Sequence, residues 1–201
     1  MLSAKLAPSV SPSPESTLWM TSQDNVGAQN RKLLLVMKTN QRRGKGCLPF
    51  YLGLTPLDFV SLGVELTAGE QWFDFDEQAF ENGSLRQELL TMRQDECADL
   101  YQLLLANQSG PSQLGQRLAS IVTAGCMGGD HLWKDLGLDS RDQLSRLMEL
   151  NFEPLFKKND KDMKWKKFFY KQLCEQEGGY VCRAPTCEQC AAYDDCFGPE
   201  N

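Results

Sequence analysis

Four cysteines lie within fifteen residues near the C-terminus of the chain, in the spacing C-x4-C-x2-C-x5-C. They are Cys182, Cys187, Cys190 and Cys196. This part of the chain has only three sizeable apolar side chains, Val181, Tyr193 and Phe197, so it cannot build a hydrophobic core of its own. Four thiolates can instead bind a metal ion or a cluster, and that binding supplies folding free energy directly. The spacing therefore predicts a metal centre that orders this segment.

The cysteine spacing also bears on which metal the segment binds. Structural zinc sites usually pair two short knuckles that are separated by a longer insert, whereas C-x4-C-x2-C opens the plant-type ferredoxin pattern. The first three cysteines follow that pattern, and the fourth arrives after five residues instead of from a distant segment. The spacing favours an iron–sulfur centre over zinc. Unliganded thiols are disfavoured, because four neighbouring exposed thiols are open to oxidation.

Length, charge and hydropathy limit the remaining possibilities. The chain has 201 residues, which corresponds to one domain, and its net charge of −6 argues against whole-surface binding of nucleic acid. The longest apolar run, 33–37, is far shorter than the roughly 20 residues that span a bilayer. The N-terminus lacks the continuous apolar region of a secretory signal. We therefore expect a cytoplasmic protein that binds neither membrane nor nucleic acid.

The pattern of apolar residues is helical through most of the chain, and strand-like alternation is scarce. One helix is predicted to begin at Thr55, which caps it ahead of Pro56, and another is predicted to begin at Ser140. A third is predicted from the capping pattern at Ser84 to about Ala106, and it would be the longest in the chain. The sequence therefore predicts an all-α fold.

Composition predicts how the chain is divided. Residues 1–27 are rich in Ser and Pro and contain a single short apolar island, so we expect a disordered leader there. Helical periodicity begins at residue 28. It predicts a single helical domain over 28–201, which includes the cluster-binding segment 175–201 as a four-cysteine loop.

Three stretches of the chain follow a known pattern. A run rich in lysine and aromatic residues at 163–175 is followed by the four-cysteine spacing and then by Phe-Gly. Residues 130–138 read DHLWKDLGL, and residues 48–54 contain Leu-Pro followed by Leu-Gly-Leu. Over roughly residues 44–197 these features resemble the NifQ family of nitrogen-fixation proteins.

Resemblance to the NifQ family implies a role with molybdenum. The family is associated with an iron–sulfur cluster that incorporates molybdenum and passes it to iron–molybdenum cofactor assembly on the scaffold NifEN, with the iron protein NifH taking part. The resemblance carries the four motif cysteines over as cluster ligands. It implies a carrier that takes up molybdenum from molybdate, and not an enzyme with a turnover substrate.

Residues outside the cysteine motif could assist such a centre. The candidates are His131, Cys126 and Cys174, together with Lys164, Lys167 and Lys171. The histidine is the only one in the chain; it is expected in the first turn of a helix capped by Asp130 and could ligate molybdenum or a cluster edge. The lysines share one face of the helix predicted over 163–174 and could attract molybdate or an acidic partner, or simply face solvent.

Two other functions are compatible with the sequence. One is a small iron–sulfur reductase or sulfur-transfer enzyme, in which the centre passes electrons and Cys174 or Cys126 is the reactive thiol. The other is a zinc-stabilised nucleic-acid-binding module, because lysines such as Lys166 are interleaved with Trp165 and Phe168 and could meet phosphates and bases.

Overall fold

The structure is a computed structural model that describes residues 22–67, 72, 77–176, 178, 187 and 190–200. Within these residues the chain forms ten helices and no strand, which confirms the all-α prediction. The helices are α1 (Ser22–Arg42), α2 (Pro56–Thr67), α3 (Glu77–Met92), α4 (Gln94–Ala106), α5 (Gln113–Cys126), α6 (Leu132–Asp135), α7 (Arg141–Asn151), α8 (Glu153–Lys158), α9 (Trp165–Gln176) and α10 (Tyr193–Phe197). None of the described helices is long and apolar enough to cross a membrane.

The core is arranged around α5, which is buried along most of its length. Its apolar side chains Leu118, Ile121 and Val122 are completely buried. α4 packs against α5 and α9, while α7 packs against α1, α6 and α8. Because α5 ends at Cys126, the chain leaves the centre of the core there and enters the loop that leads to α6.

Two local capping signals are confirmed. The Thr55 hydroxyl accepts a hydrogen bond from the Asp58 amide at 3.1 Å, at the start of α2. The Ser140 hydroxyl accepts one from the Gln143 amide at 3.3 Å, at the start of α7. Each cap satisfies one of the amide groups that a helix start leaves without an intrahelical partner.

The prediction that a helix begins at Ser84 is wrong. α3 begins at Glu77, and Ser84 lies inside it, where its hydroxyl donates to the Phe80 carbonyl at 2.9 Å. The neighbouring Gly83 also lies inside α3, where a Cβ would collide with the backbone of Phe50. Glycine lets α3 pack closely against this backbone.

The helix expected to run to Ala106 is instead two helices. α3 ends at Met92, and α4 begins at Gln94 after Arg93. The longest described helix is α1, with 21 residues.

Helix α1 begins at Ser22, within the segment 1–27 that was predicted to be a disordered leader. Residues 1–21 lie outside the described part of the chain. The early turns of α1 depend on polar contacts and not on an apolar stripe. The Gln29 side chain donates to the Asn25 side chain at 2.7 Å. Apolar periodicity could not reveal such contacts.

A buried pair of asparagines ties α1 to α7. The side-chain amide of Asn30 donates to the carbonyl oxygen of Asn151, and the amide of Asn151 donates back to Asn30, each at 2.8 Å. A buried amide that loses its partner keeps its desolvation penalty without a compensating hydrogen bond. The pair therefore fixes the position of α1 on α7.

We predict that Asn30→Ala lowers the free energy of unfolding by about 1–3 kcal/mol, because Asn151 would lose its buried partner. Lys32→Ala, at an exposed position of the same helix, should change it by less than about 0.5 kcal/mol. Urea denaturation followed by circular dichroism measures both values. Equal stability of the two variants would contradict the anchoring role of the pair.

Candidate metal centre

Three of the four motif cysteines fall among the described residues, and Cys182 lies outside them. Cys187 and Cys190 lie on successive turns, because the Cys190 amide donates to the Cys187 carbonyl and the Tyr193 amide donates to the Cys190 carbonyl, each at 3.1 Å. Cys196 lies on the short helix α10, which contains no buried residue. All three side chains are partly exposed. The thiols therefore lie in a segment without a core of its own, as a metal-ordered segment would require.

The start of α9 holds the segment that carries Cys196. The Lys164 amide donates to the Cys196 carbonyl at 2.8 Å, and the Lys164 ammonium donates to the Asp194 carbonyl at 2.8 Å. Farther along, Arg141 forms an ion pair with Glu200, whose side chain is buried. These contacts attach α10 and the residues after it to the helical domain.

A cleft of about 400 Å³ opens beside this attachment. Its lining includes His131, Lys164, Lys166, Lys167, Asp195 and Glu200. The structure thus brings together the histidine and two of the three lysines that the sequence singled out. The residue before Cys196 also lines this cleft, so the cleft adjoins one of the motif cysteines.

Lys171 and Cys174 are not among the residues that line this cleft. Lys171 lies farther along α9, where its ammonium is 3.6 Å from the carboxylate of Glu175. Cys174 lies near the end of the same helix and is partly buried. Helical spacing predicts that the three lysines share one face of the helix. That face is longer than the cleft, and Lys171 lies beyond the cleft.

Lys164 and Lys167 have no carboxylate partners among the described residues. Glu200 is paired with Arg141. Asp130 has Lys134 at 3.8 Å, and the hydrogen bond from the His131 amide holds the pKa of the Asp130 carboxyl below its usual value. The lining as a whole holds three carboxylates, of Asp130, Asp195 and Glu200, against the ammonium groups of Lys164, Lys166 and Lys167, so it carries no net positive charge. The two lysines without a carboxylate partner can still attract an anion locally.

His131 occupies the residue before α6, not the first helical turn that was predicted. Its amide donates to the Asp130 carboxylate at 2.7 Å, so Asp130 bonds to its immediate neighbour instead of capping the helix. The Nδ1 atom of His131 lies 3.7 Å from the Glu200 carboxylate. The imidazole therefore links the α6 loop to the end of the C-terminal segment.

A buried ion pair between Lys166 and Asp135 supports the floor of the cleft. The ammonium of Lys166 contacts the Asp135 carboxylate and donates to the Gly128 carbonyl at 2.8 Å. The same carboxylate accepts a hydrogen bond from the Asp130 amide at 2.9 Å. Gly128 has to be glycine, because a Cβ would collide with the Asp135 carboxylate. The pair therefore fixes the 128–130 loop against α6 and α9.

Sequence reasoning missed the roles of Asp135, Glu200 and Arg141, and it treated Lys166 as one lysine of a basic run and not as the partner of Asp135. No local pattern distinguishes these residues from ordinary surface charges. Their partners are 31 positions apart for Lys166 and Asp135 and 59 for Arg141 and Glu200. Of these residues, only Asp135 lies within a stretch, 130–138, that resembles the NifQ family.

Two further cysteines lie beside this site, Cys126 buried and Cys47 partly buried. Burial raises the pKa of Cys126 to about 12, and burial together with the Asp135 carboxylate raises the pKa of Cys47 to about 12. These surroundings disfavour the thiolate form of both cysteines in the absence of a bound metal.

The aromatic residues near the lysines are unavailable for stacking on bases. Trp165 and Phe168 are buried in the core. The Tyr170 hydroxyl is hydrogen-bonded to Glu96, and its pKa is raised by burial and by that carboxylate. This removes the interleaved aromatic surface on which the nucleic-acid alternative depended.

Among the described residues, no three His, Cys, Asp or Glu side chains are grouped so that they could hold a single metal ion. The donor chemistry nevertheless suits an iron–sulfur centre, since clusters are held by cysteine thiolates. Cys187, Cys190 and Cys196 supply three such donors at partly exposed positions.

Comparison with known proteins decides the family. The sequence profile of the NifQ family matches residues 33–198. The chain belongs to the NifQ family. NifQ proteins take part in nitrogen fixation.

Three similar proteins are named Protein NifQ. The one from Azotobacter vinelandii is 50% identical over 164 residues, which cover 80% of this chain and 84% of the relative. The one from Klebsiella pneumoniae is 36% identical over 77% of this chain and 90% of the relative. The one from Rhodobacter capsulatus is 32% identical over 78% of this chain and 81% of the relative. No solved structure matches the chain significantly.

We predict that Lys166→Met lowers the free energy of unfolding by about 3 kcal/mol, because it leaves the buried Asp135 carboxylate without its cation. Adding Asp135→Asn should recover part of the loss, since the uncompensated charge is then removed. Lys167→Met, one position along and exposed, should change stability by less than about 0.5 kcal/mol. Urea denaturation would contradict the role of the pair if the two single variants were equally stable.

Proposed function

We propose that this protein is a molybdenum carrier, which holds molybdenum in an iron–sulfur centre and donates it for biosynthesis of the nitrogenase iron–molybdenum cofactor. The observation that carries the proposal is the cleft beside the Cys196 segment, which has in its lining His131 and two lysines without a carboxylate partner among the described residues, Lys164 and Lys167. It joins ammonium groups that can attract an anion to a cysteine-rich segment. Family membership supports the nitrogen-fixation part of the proposal.

Cargo binding is assigned to Cys182, Cys187, Cys190 and Cys196. Thiolates are soft ligands that suit iron–sulfur clusters, and the segment has no buried residue in α10 that would order it otherwise. Molybdenum arrives as molybdate, an oxoanion, and has to enter a sulfur environment. Lysine ammonium groups can attract the oxoanion, and the thiolates next to them supply the sulfur environment.

The lysines of the cleft have different tasks in this proposal. Lys164 uses its backbone amide and its ammonium to hold the chain around Cys196, so it positions the cysteine segment as well as supplying charge. The exposed Lys167 forms no ion pair within the described residues and is the group that attracts molybdate. The imidazole of His131 completes the cleft and is the proposed molybdenum ligand outside the cysteine motif.

Release of the cargo requires that a partner reach it. Cys187, Cys190 and Cys196 are partly exposed, and no residue of α10 is buried. Partial exposure supports direct transfer to a protein surface. The scaffold NifEN is the proposed acceptor, with the iron protein NifH taking part.

We predict that changing any one of Cys182, Cys187, Cys190 or Cys196 to Ala removes most of the iron from anaerobically purified protein. Far-UV helical content should remain largely intact, because the helices have their own apolar core and the cysteine segment does not. Cys47→Ala and Cys97→Ala should retain iron. Iron and sulfide analysis checks this, and equal iron content in all six variants would contradict the ligand assignment.

We predict that Lys167→Gln slows molybdenum loading several-fold at low salt, whereas Lys171→Gln leaves it unchanged. Both lysines lie on α9, but only Lys167 lines the cleft. Added salt should reduce the difference, because the Debye length falls from about 10 Å at 0.1 M to about 3 Å at 1 M. Loading is measured as molybdenum content against time.

A third variant separates the histidine from the lysines. His131→Ala should retain iron but lower the molybdenum content, and this deficit should persist at high salt because ligation is short-ranged. Identical molybdenum loading in the Lys167, Lys171 and His131 variants would contradict the role of the cleft.

A further inference from the structure

The outer face of α3 carries an exposed apolar stripe. Leu85, Leu89 and Met92 follow the i, i+4, i+7 spacing of a single helix face. Their exposed fractions are 63%, 58% and 81%. Scattered apolar residues on a surface need no explanation, whereas a contiguous apolar row marks an interaction site.

The opposite face of α3 is the one that packs on the domain. Gly83 meets the backbone of Phe50, and Leu90 packs against the core. Arg86 turns the same way, since its guanidinium donates to the Leu48 carbonyl at 3.2 Å. At about 100° per residue Gly83 and Leu90 lie across the helix from the stripe, whereas Arg86 borders the stripe and reaches back to the domain. The stripe is therefore separate from the face by which α3 packs on the domain.

An acidic border runs along one edge of the stripe. Helical geometry puts Glu88 one turn before Met92 and Glu81 one turn before Leu85, with Glu77 one turn earlier again. All three glutamates are exposed, and none forms an ion pair with a Lys or Arg among the described residues. The outer face of α3 therefore combines an apolar stripe with uncompensated negative charge.

A second exposed apolar stripe, on α2, lacks uncompensated negative charge beside it. Leu57 and Val64 are 75% and 58% exposed. However, the neighbouring carboxylates Asp58 and Glu65 are both near Arg117, at 3.7 Å and 2.8 Å. The α2 stripe therefore has its adjacent charge neutralised and provides a matched control.

We infer that the α3 face, defined as Leu85, Leu89, Met92, Glu81 and Glu88, binds an amphipathic helix of a partner protein whose apolar stripe is bordered by Lys or Arg. Helix-in-groove recognition uses apolar anchors at such spacings, and complementary charges select the partner. A second copy of this chain does not meet the requirement. The cations next to the stripe are already engaged, since Arg86 donates to the Leu48 carbonyl and Arg93 pairs with Glu96, so pairing two copies leaves the glutamates without a free opposite charge.

The test uses the full chain, purified anaerobically, and two fluorescently labelled synthetic helices of about four turns. Both peptides carry leucines at the i, i+4, i+7 spacing; one has lysines along the border, and the other has glutamates. Fluorescence anisotropy measures affinity for wild type, for Leu85→Gln/Leu89→Gln, and for Glu81→Lys/Glu88→Lys. Leu57→Gln/Val64→Gln is the control. All changes are at exposed positions and avoid Gly and Pro, so circular dichroism should be unchanged.

The inference predicts that wild type and the α2 control bind the lysine peptide equally, and that Leu85→Gln/Leu89→Gln weakens binding by about tenfold or more. Glu81→Lys/Glu88→Lys should reverse the preference toward the glutamate peptide. The charge reversal leaves the apolar stripe intact, so it tests recognition even if the leucine variant is poorly folded. Equal binding of both peptides, or equal binding by all variants, would overturn the inference. Concentration-dependent dimerisation of wild type that Leu85→Gln/Leu89→Gln abolishes would overturn it in favour of a second copy.

Discussion

The buried ion pair between Lys166 and Asp135 is the contact on which the candidate site depends. Asp135 belongs to α6 and Lys166 to α9, and both also bind the loop that follows α5. Removing one member would leave a buried charge unpaired, which costs far more than losing an exposed ion pair. This penalty keeps α6, α9 and the loop together, so the side chains that they carry share one cleft.

The cysteine segment depends on that arrangement in turn. α10 has no buried residue, so its position relies on contacts to other elements. The start of α9 provides two of them through Lys164, and α7 provides another through Arg141. Helices with a conventional apolar core thus form the rigid support, while the cysteines remain accessible. Such a division suits the proposed function, in which a bound cluster is held and then released.

Local sequence signals predicted the elements whose causes are local. The caps at Thr55 and Ser140 are confirmed, because each needs only residues three positions apart. The pattern at Ser84 failed, because the same residues can lie inside a helix, where the Ser84 hydroxyl donates to the Phe80 carbonyl instead of capping an amide.

The contacts that support the candidate site, which the sequence could not reveal, join distant residues. The buried asparagine pair of α1 and α7 spans 121 positions, and the pairs that support the cleft span 31 and 59. The motif cysteines were recognised because their spacing is local, whereas the supporting charges looked like ordinary surface residues.

X-ray absorption at the molybdenum edge, on protein isolated anaerobically from molybdate-grown cells, tests the central claim most directly. The carrier function predicts molybdenum surrounded by sulfur with iron as a more distant neighbour. Molybdenum surrounded only by oxygen, or zinc in place of iron and molybdenum, would contradict it.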